Sequence, residues 1–323
     1  GTGNYIISYT VIDSAGNTSL PSPLDTIYID FTPPNDPGLP LLESASDLGE
    51  SESDNITNED RIDITLVDIL PGYSGVLYSI TGDDTTRIDS SLLAPPEEKL
   101  TFNTSTFATG TYKYTSVHVD TAGNRSGYSE PITIEIDNVP PTAQISYGSV
   151  AGDSLVRAAD LATLATFEFN ESMDSVNVPT INIDYPEVDN LLDLTNQPLT
   201  RASGDTIWTF SIPLNTSGLE EIDGDITITV NAADVAGNPI SASNITGLTA
   251  LKVDNTPATF SNVNPGSQSF NNVLNNFGWT LSESIDTGWV VFNKLSDGTK
   301  LNIPLLGIER VAGDKDAGSF LSG

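Results

Sequence analysis

The chain has 323 residues, 44 acidic and 12 basic, with a formal charge of −32. That length suits two or three domains with cores of their own, and the charge sign argues against nucleic acid or an anionic membrane surface as partner. Cysteine is absent, which excludes disulfides, thiolate zinc sites and cysteine nucleophiles and leans the reading toward a bacterial or archaeal surface protein.

Taken in order, residues 1–33 read as the two closing strands of a module, joined by a turn at Asp13-Ser14-Ala15-Gly16-Asn17. Tyr5, Ile7, Tyr9 and Val11 alternate on one face, the period of a half-buried antiparallel strand. The same pattern returns at Tyr112–Pro141 and, more loosely, at Ile226–Pro257. The turn aspartates Asp13, Asp120 and Asp234 lie 107 and 114 residues apart. A self-similarity of that length is an internal repeat one domain long.

Residues 34–140 form a complete module. It opens on a loop in which Asp47, Glu50, Glu52, Asp54, Glu59 and Asp60 crowd among Ser, Gly and Asn. Strands are predicted at Ile62–Leu66, Val76–Ile80 and Lys99–Phe102, ahead of the two repeated strands. Short strands separated by frequent turns predict a sandwich. Residues 141–257 form a second complete module with strands at Leu164–Phe169 and Ile207–Ile212, the latter placing Trp208 in a core. An acidic turn at Glu220–Asp225 leads into its repeated strand. Residues 258–323 open a further module, in which Trp279–Phe292 echoes Ala165–Val178, both with Glu-Ser after an alternating strand. The chain is expected to be a piece of a longer array. Asp-x-x-Pro junctions recur at Asp30–Pro33, Asp137–Pro140 and Asp254–Pro257, where proline stiffens the link.

The Asp-x-Ala-Gly-Asn turn, the Asp-x-x-Pro exit and the opening Ser46-Asp47-Leu48-Gly49…Asp54-Asn55-Ile56-Thr57-Asn58 together resemble the bacterial immunoglobulin-like repeats of giant secreted adhesins and other large surface proteins. The resemblance implies an all-β fold of tandem immunoglobulin-like antiparallel β-sandwich modules strung end to end. It also implies calcium at or near the junctions, export, and a stalk role outside the cell or on its surface. The module at 141–257 departs from the pattern, lacking the Asp-Asn-Ile-Thr-Asn opening and carrying three extra residues between turn and exit.

Calcium takes six to eight oxygens. The candidate ligands are Asp30, Asp47, Asp54, Asp60, Asp120, Asp137, Asp153, Asp160, Asp234 and Asp254. In modules joined end to end, Asp30 is expected to meet Asp47 or Asp54, and Asp137 to meet Asp153 or Asp160. The bland alternatives are that the turn Asp only shapes the hairpin and that the acids only keep the chain soluble.

Catalysis is poorly supplied. His118, the single histidine, aligns with core-facing Val11 and Ala232, and no nucleophile motif or P-loop is found. Together with what the resemblance implies, the chain reads as a calcium-rigidified spacer and not an enzyme. Its expected partners are its own neighbouring modules, with homotypic contacts as a further option. A self-assembling extracellular polymer and a glycan-binding or enzyme-accessory region are the alternative readings.

Overall fold

In the computed structural model the chain is all-β, with tandem immunoglobulin-like sandwiches and only short 3-10 turns besides strands among the described residues. The structure describes residues 1–93, 99–104, 106–148, 155–157, 160, 162–186, 191–214, 217–219, 222–247, 250–264 and 278–316. By contacts the chain divides into two units, residues 1–216 with 224–253, and residues 217–223 with 254–323.

The first unit begins with the antiparallel pair β1 (Gly3–Ile7) and β2 (Asp25–Ile29). No sheet faces this pair among the described residues. Tyr5, Tyr9 and Val11, read from the sequence as core-facing, are therefore exposed.

The next sandwich uses β3 (Leu41–Leu42), β4 (Ile56–Thr57), β5 (Asp63–Leu66), β6 (Ser74–Thr81), β7 (Asp84–Leu92), β8 (Leu100–Asn103), β9 (Gly110–Val119) and β10 (Ile132–Ile136). A sheet ordered β4-β10-β9-β6-β7 packs on a sheet ordered β3-β5-β8. Ile62, Ile64, Leu77, Ile134 and Ile136 are fully buried between them. The alternation seen in the sequence is the cause: β10 reads buried, exposed, buried, exposed, buried. His118 is 4 % exposed on the inner side, as its alignment with Val11 and Ala232 predicts.

One pairing sets the polarity of this sandwich. The short strand β4 runs parallel to β10, Thr57 opposite Ile136. The acidic loop before it therefore lies at the pole where the chain leaves this sandwich. The turn at 120–124 lies at the opposite pole, roughly 30 Å away along the ten residues of β9.

The following sandwich comprises β11 (Ala143–Tyr147), β12 (Leu155–Val156), β13 (Ala162–Phe169), β14 (Thr180–Asp184), β15 (Leu194–Pro198), β16 (Thr200–Ser203), β17 (Ile207–Pro213), β18 (Gly224–Asn231), β19 (Ile245–Gly247) and β20 (Ala250–Val253). They form two five-stranded sheets, β16-β17-β13-β11-β19 and β12-β20-β18-β14-β15. Trp208 and Phe167 are buried, and β18 buries Ile226, Ile228 and Val230 on one face.

The second unit holds β21 (Phe260–Asn264), β22 (Gly278–Leu281), β23 (Trp289–Asn293), β24 (Lys300–Pro304) and β25 (Gly313–Asp316). Trp279, Leu281 and Leu305 make a small core, while Trp289 is exposed.

A feature absent from the strand pattern stands behind the repeated turns. After each of the first two, a serine hydroxyl takes the place of a backbone carbonyl in the ladder. Ser126 Oγ accepts from the His118 amide at 2.9 Å, and Ser129 Oγ from the Ser116 amide at 3.0 Å. Ser19 and Ser22 do the same for Val11 and Tyr9. Pro21, Pro23 and Pro131 keep these segments from forming regular strands, and the hydroxyls satisfy the donors that would otherwise be orphaned. The signal in the sequence is Ser-x-x-Ser followed by proline.

Candidate functional site

The Asp-x-Ala-Gly-Asn turn is pinned by its asparagine in the same way three times. Asp120 Oδ1 accepts from the Ala122 and Asn124 amides, and Oδ2 accepts from the Asn124 side chain at 2.9 Å. Asp13 with Asn17, and Asp234 with Asn238, repeat the pin. Positive φ at Gly16, Gly123 and Gly237, near +90° in each, completes the turn and favours glycine.

The three carboxylates differ in charge behaviour. The asparagine side chain, together with backbone amides, holds Asp13 and Asp120 below the ordinary value of 3.8. Burial pushes Asp234 up in spite of the same hydrogen bonds, with Asp137 adding repulsion. The asparagine hydrogen bonds are the same; the surroundings decide the sign.

Those surroundings are the joint between the two complete sandwiches. Asp137, Glu171 and Asp234 bring carboxylate oxygens within 4.8 Å of one another. Glu171 is pushed up by burial, then by Asp234 and Asp137. The donor set is entirely oxygen, half-buried to buried, and mutually repulsive, which fits a hard divalent cation.

The backbone meets at the same place. Asn238 Nδ2 donates to the Asp137 carbonyl at 2.7 Å. The Glu50 amide donates to the Val235 carbonyl at 2.9 Å and the Asn58 amide to the Ala236 carbonyl at 3.1 Å. Ser175 Oγ bonds the Glu50 carboxylate. At the preceding junction Asn124 Nδ2 donates to the Asp30 carbonyl at 3.1 Å, and the Gly127 amide to Asp36 Oδ1 at 2.7 Å.

The expected pairings across the junctions are therefore corrected. Asp30 and Asp137 each meet the turn of the next sandwich, not its opening segment, because the parallel pairings of β4 with β10 and of β12 with β20 place those opening segments at the exit pole of their own sandwich. Asp30 meets Asn124, whereas Asp47 and Asp54 sit at the far pole. Asp137 meets Glu171 and Asp234, while Asp160 is paired with Arg157 and Asp153 lies outside the described residues.

The remaining candidates are scattered. Asp47 is 1 % exposed; its Oδ2 accepts from the Asn55 amide at 3.1 Å, its Oδ1 has no partner, and burial pushes it up. Asp54 Oδ1 accepts from the Ile56 amide, and Asp60 and Asp254 join no cluster of three among the described residues. Sequence reasoning did not single out Glu171 as a ligand. The repeated Glu-Ser after an alternating strand marks the position, but nothing local says that it faces another module.

Family models match this chain in two stretches, both described as bacterial Ig-like domain: residues 35–138, and residues 97–244 for the group 3 form. Residues 35–244 of the chain belong to bacterial Ig-like domains. The second match begins inside the first and runs through the joint. Among solved structures, this bacterial Ig-like chain is similar to a tetra-tandem repeat in the extending region of a large adhesion protein, at 15 % identity over 100 % of this chain and 73 % of that one, TM-score 0.30. A 1.5-MDa bacterial ice-binding adhesin matches at 15 % identity over 90 % of both chains, TM-score 0.36. The fibronectin(III)-like modules of Clostridium thermocellum CbhA match at 16 % identity over 62 % and 90 %, TM-score 0.32. No curated protein matches.

Proposed function

We propose that these bacterial Ig-like repeats are a non-catalytic spacer in a large bacterial adhesin-like protein, outside the cell or on its surface, and that calcium stiffens their joints. The modules run 1–33, 34–140, 141–257 and 258–323, the first three each closed by an Asp-x-x-Pro exit. The observation that carries the calcium reading is the cluster of Asp137, Glu171 and Asp234 at a joint. Three carboxylates this close repel one another unless protonated or bridged, and a hard cation relieves that repulsion while tying one sandwich to the next. Buried Asp47, with one oxygen unpartnered, lies in the loop at the same pole and supplies a second acidic position. The high acidity keeps neighbouring chains apart in solution.

The test is small-angle X-ray scattering and a thermal melt of the full chain, with calcium and with a chelator. The reading expects calcium to lengthen and stiffen the particle and to raise the melting temperature. Asp137→Asn with Glu171→Gln should remove most of the gain. Identical profiles and melts in both buffers would overturn it.

A further inference from the structure

We infer that the segment from Gly49 to Asn58, which contains β4, is a docking element for the Asp-x-Ala-Gly-Asn turn of the next sandwich, and that this backbone docking sets the joint angle without any cation. The inference does not depend on the calcium reading: docking sets the mean angle of the joint, and a cation bound at the carboxylates would narrow the spread about that angle.

Two backbone hydrogen bonds cross the joint, from Glu50 to Val235 and from Asn58 to Ala236, with Asn238 answering from the turn to the Asp137 carbonyl. Such bonds are directional and allow little rotation between the partners. They form only because two glycines meet. A Cβ on Gly49 would overlap the Val235 carbonyl oxygen and lie 2.8 Å from the Ala236 carbonyl carbon. A Cβ on Gly237 would lie 3.1 Å from the Gly49 Cα. Gly123 occupies the same turn position one module earlier, with φ +89° against +93° for Gly237, yet nothing lies within 4 Å of its Cβ direction. The turn alone therefore does not explain the close approach at Gly237. The loop that reaches it does. Module pairs ordinarily move relative to one another unless an interface holds them; here the interface is main chain on main chain.

The chain has no cysteine, so a Thr133→Cys, Thr229→Cys pair in the full protein places one spin label on each sandwich at an exposed strand position. Pulsed electron-spin distance measurements in chelator should give a narrow distribution. Gly237→Ala and Gly49→Ala should widen it by about twofold or more, as expected for a released domain pair. Gly123→Ala carries the same backbone strain and no joint contact, and should leave it narrow. If the unsubstituted joint is already broad in chelator, the inference is overturned, and narrowing by calcium would leave the calcium reading intact. It is equally overturned if Gly123→Ala and Gly237→Ala behave alike. A narrow distribution in chelator supports the docking element whether or not calcium narrows it further, and that further narrowing tests the calcium reading separately.

Discussion

Asn238 donates its side-chain amide to the backbone carbonyl of Asp137, 101 residues away, at 2.7 Å, while also holding the Asp234 carboxylate of its own turn at 2.9 Å. Asn124 makes the same double contact with Asp30 and Asp120. One residue type thus closes a turn and fastens it to the module before.

Asn238→Ala should cost more than a surface turn substitution. Asn238 is 6 % exposed, and its loss strips a half-buried carbonyl and a buried carboxylate of a donor together. The expected loss is about 2–4 kcal/mol, from roughly 1–3 kcal/mol for the buried carboxylate and about 1 kcal/mol, the low end of that range, for the half-buried carbonyl. Asn17→Ala, in an exposed turn, should cost clearly less. Chemical denaturation of both variants measures the difference.

The serine hydroxyls in the ladder offer a second matched pair. Ser129→Ala leaves the buried Ser116 amide without its acceptor, for about 1–3 kcal/mol. Ser22→Ala removes the same bond from Tyr9, but water reaches that exposed amide and the cost should be smaller. Thermal melts decide, and equal losses would contradict the hydroxyl-for-carbonyl account.

Neutralising the acidic cluster should change sign with calcium. Burial and mutual repulsion raise Glu171 and Asp234 above their ordinary values of 4.5 and 3.8. A carboxyl raised by folding favours the folded state fully below its unfolded pKa and loses that contribution as pH rises through the folded value. In chelator at neutral pH, Glu171→Gln should therefore be neutral or stabilising, and stability should fall less steeply for this variant than for the parent as pH rises above about 4.5. With calcium present the same variant should melt below the parent. Denaturation in both buffers across pH tests each half.

His118 acts in the opposite direction. Burial lowers its pKa from 6.5, against smaller raising effects of the Val67 backbone and Asp68. A base depressed by folding contributes stability above its unfolded pKa, and that contribution is lost as pH falls through the folded value. Below pH 6.5 the parent should lose stability that His118→Gln retains, seen as a shallower pH dependence of the melting temperature.

Much of this architecture was legible because it is written locally. The alternation through Ile226, Ile228 and Val230 selects strand and core face, and Asp, Gly and Asn at fixed spacing select the turn. Trp208 and His118 are buried where that alternation places them. The joint was not legible in the same way. Glu171 is separated from Asp137 and Asp234 by long stretches of chain, and its role depends on which poles meet.

By itself the sequence determined the repeat, the sandwich class, the turn chemistry and the acidic character, since each depends on side-chain type within a few residues. Only the tertiary structure decided that β4 runs parallel to β10. That single register sends the acidic loop to the exit pole and brings Gly49 onto Gly237. Strand pairing across 79 residues is settled by how the whole core packs, and no local pattern specifies it.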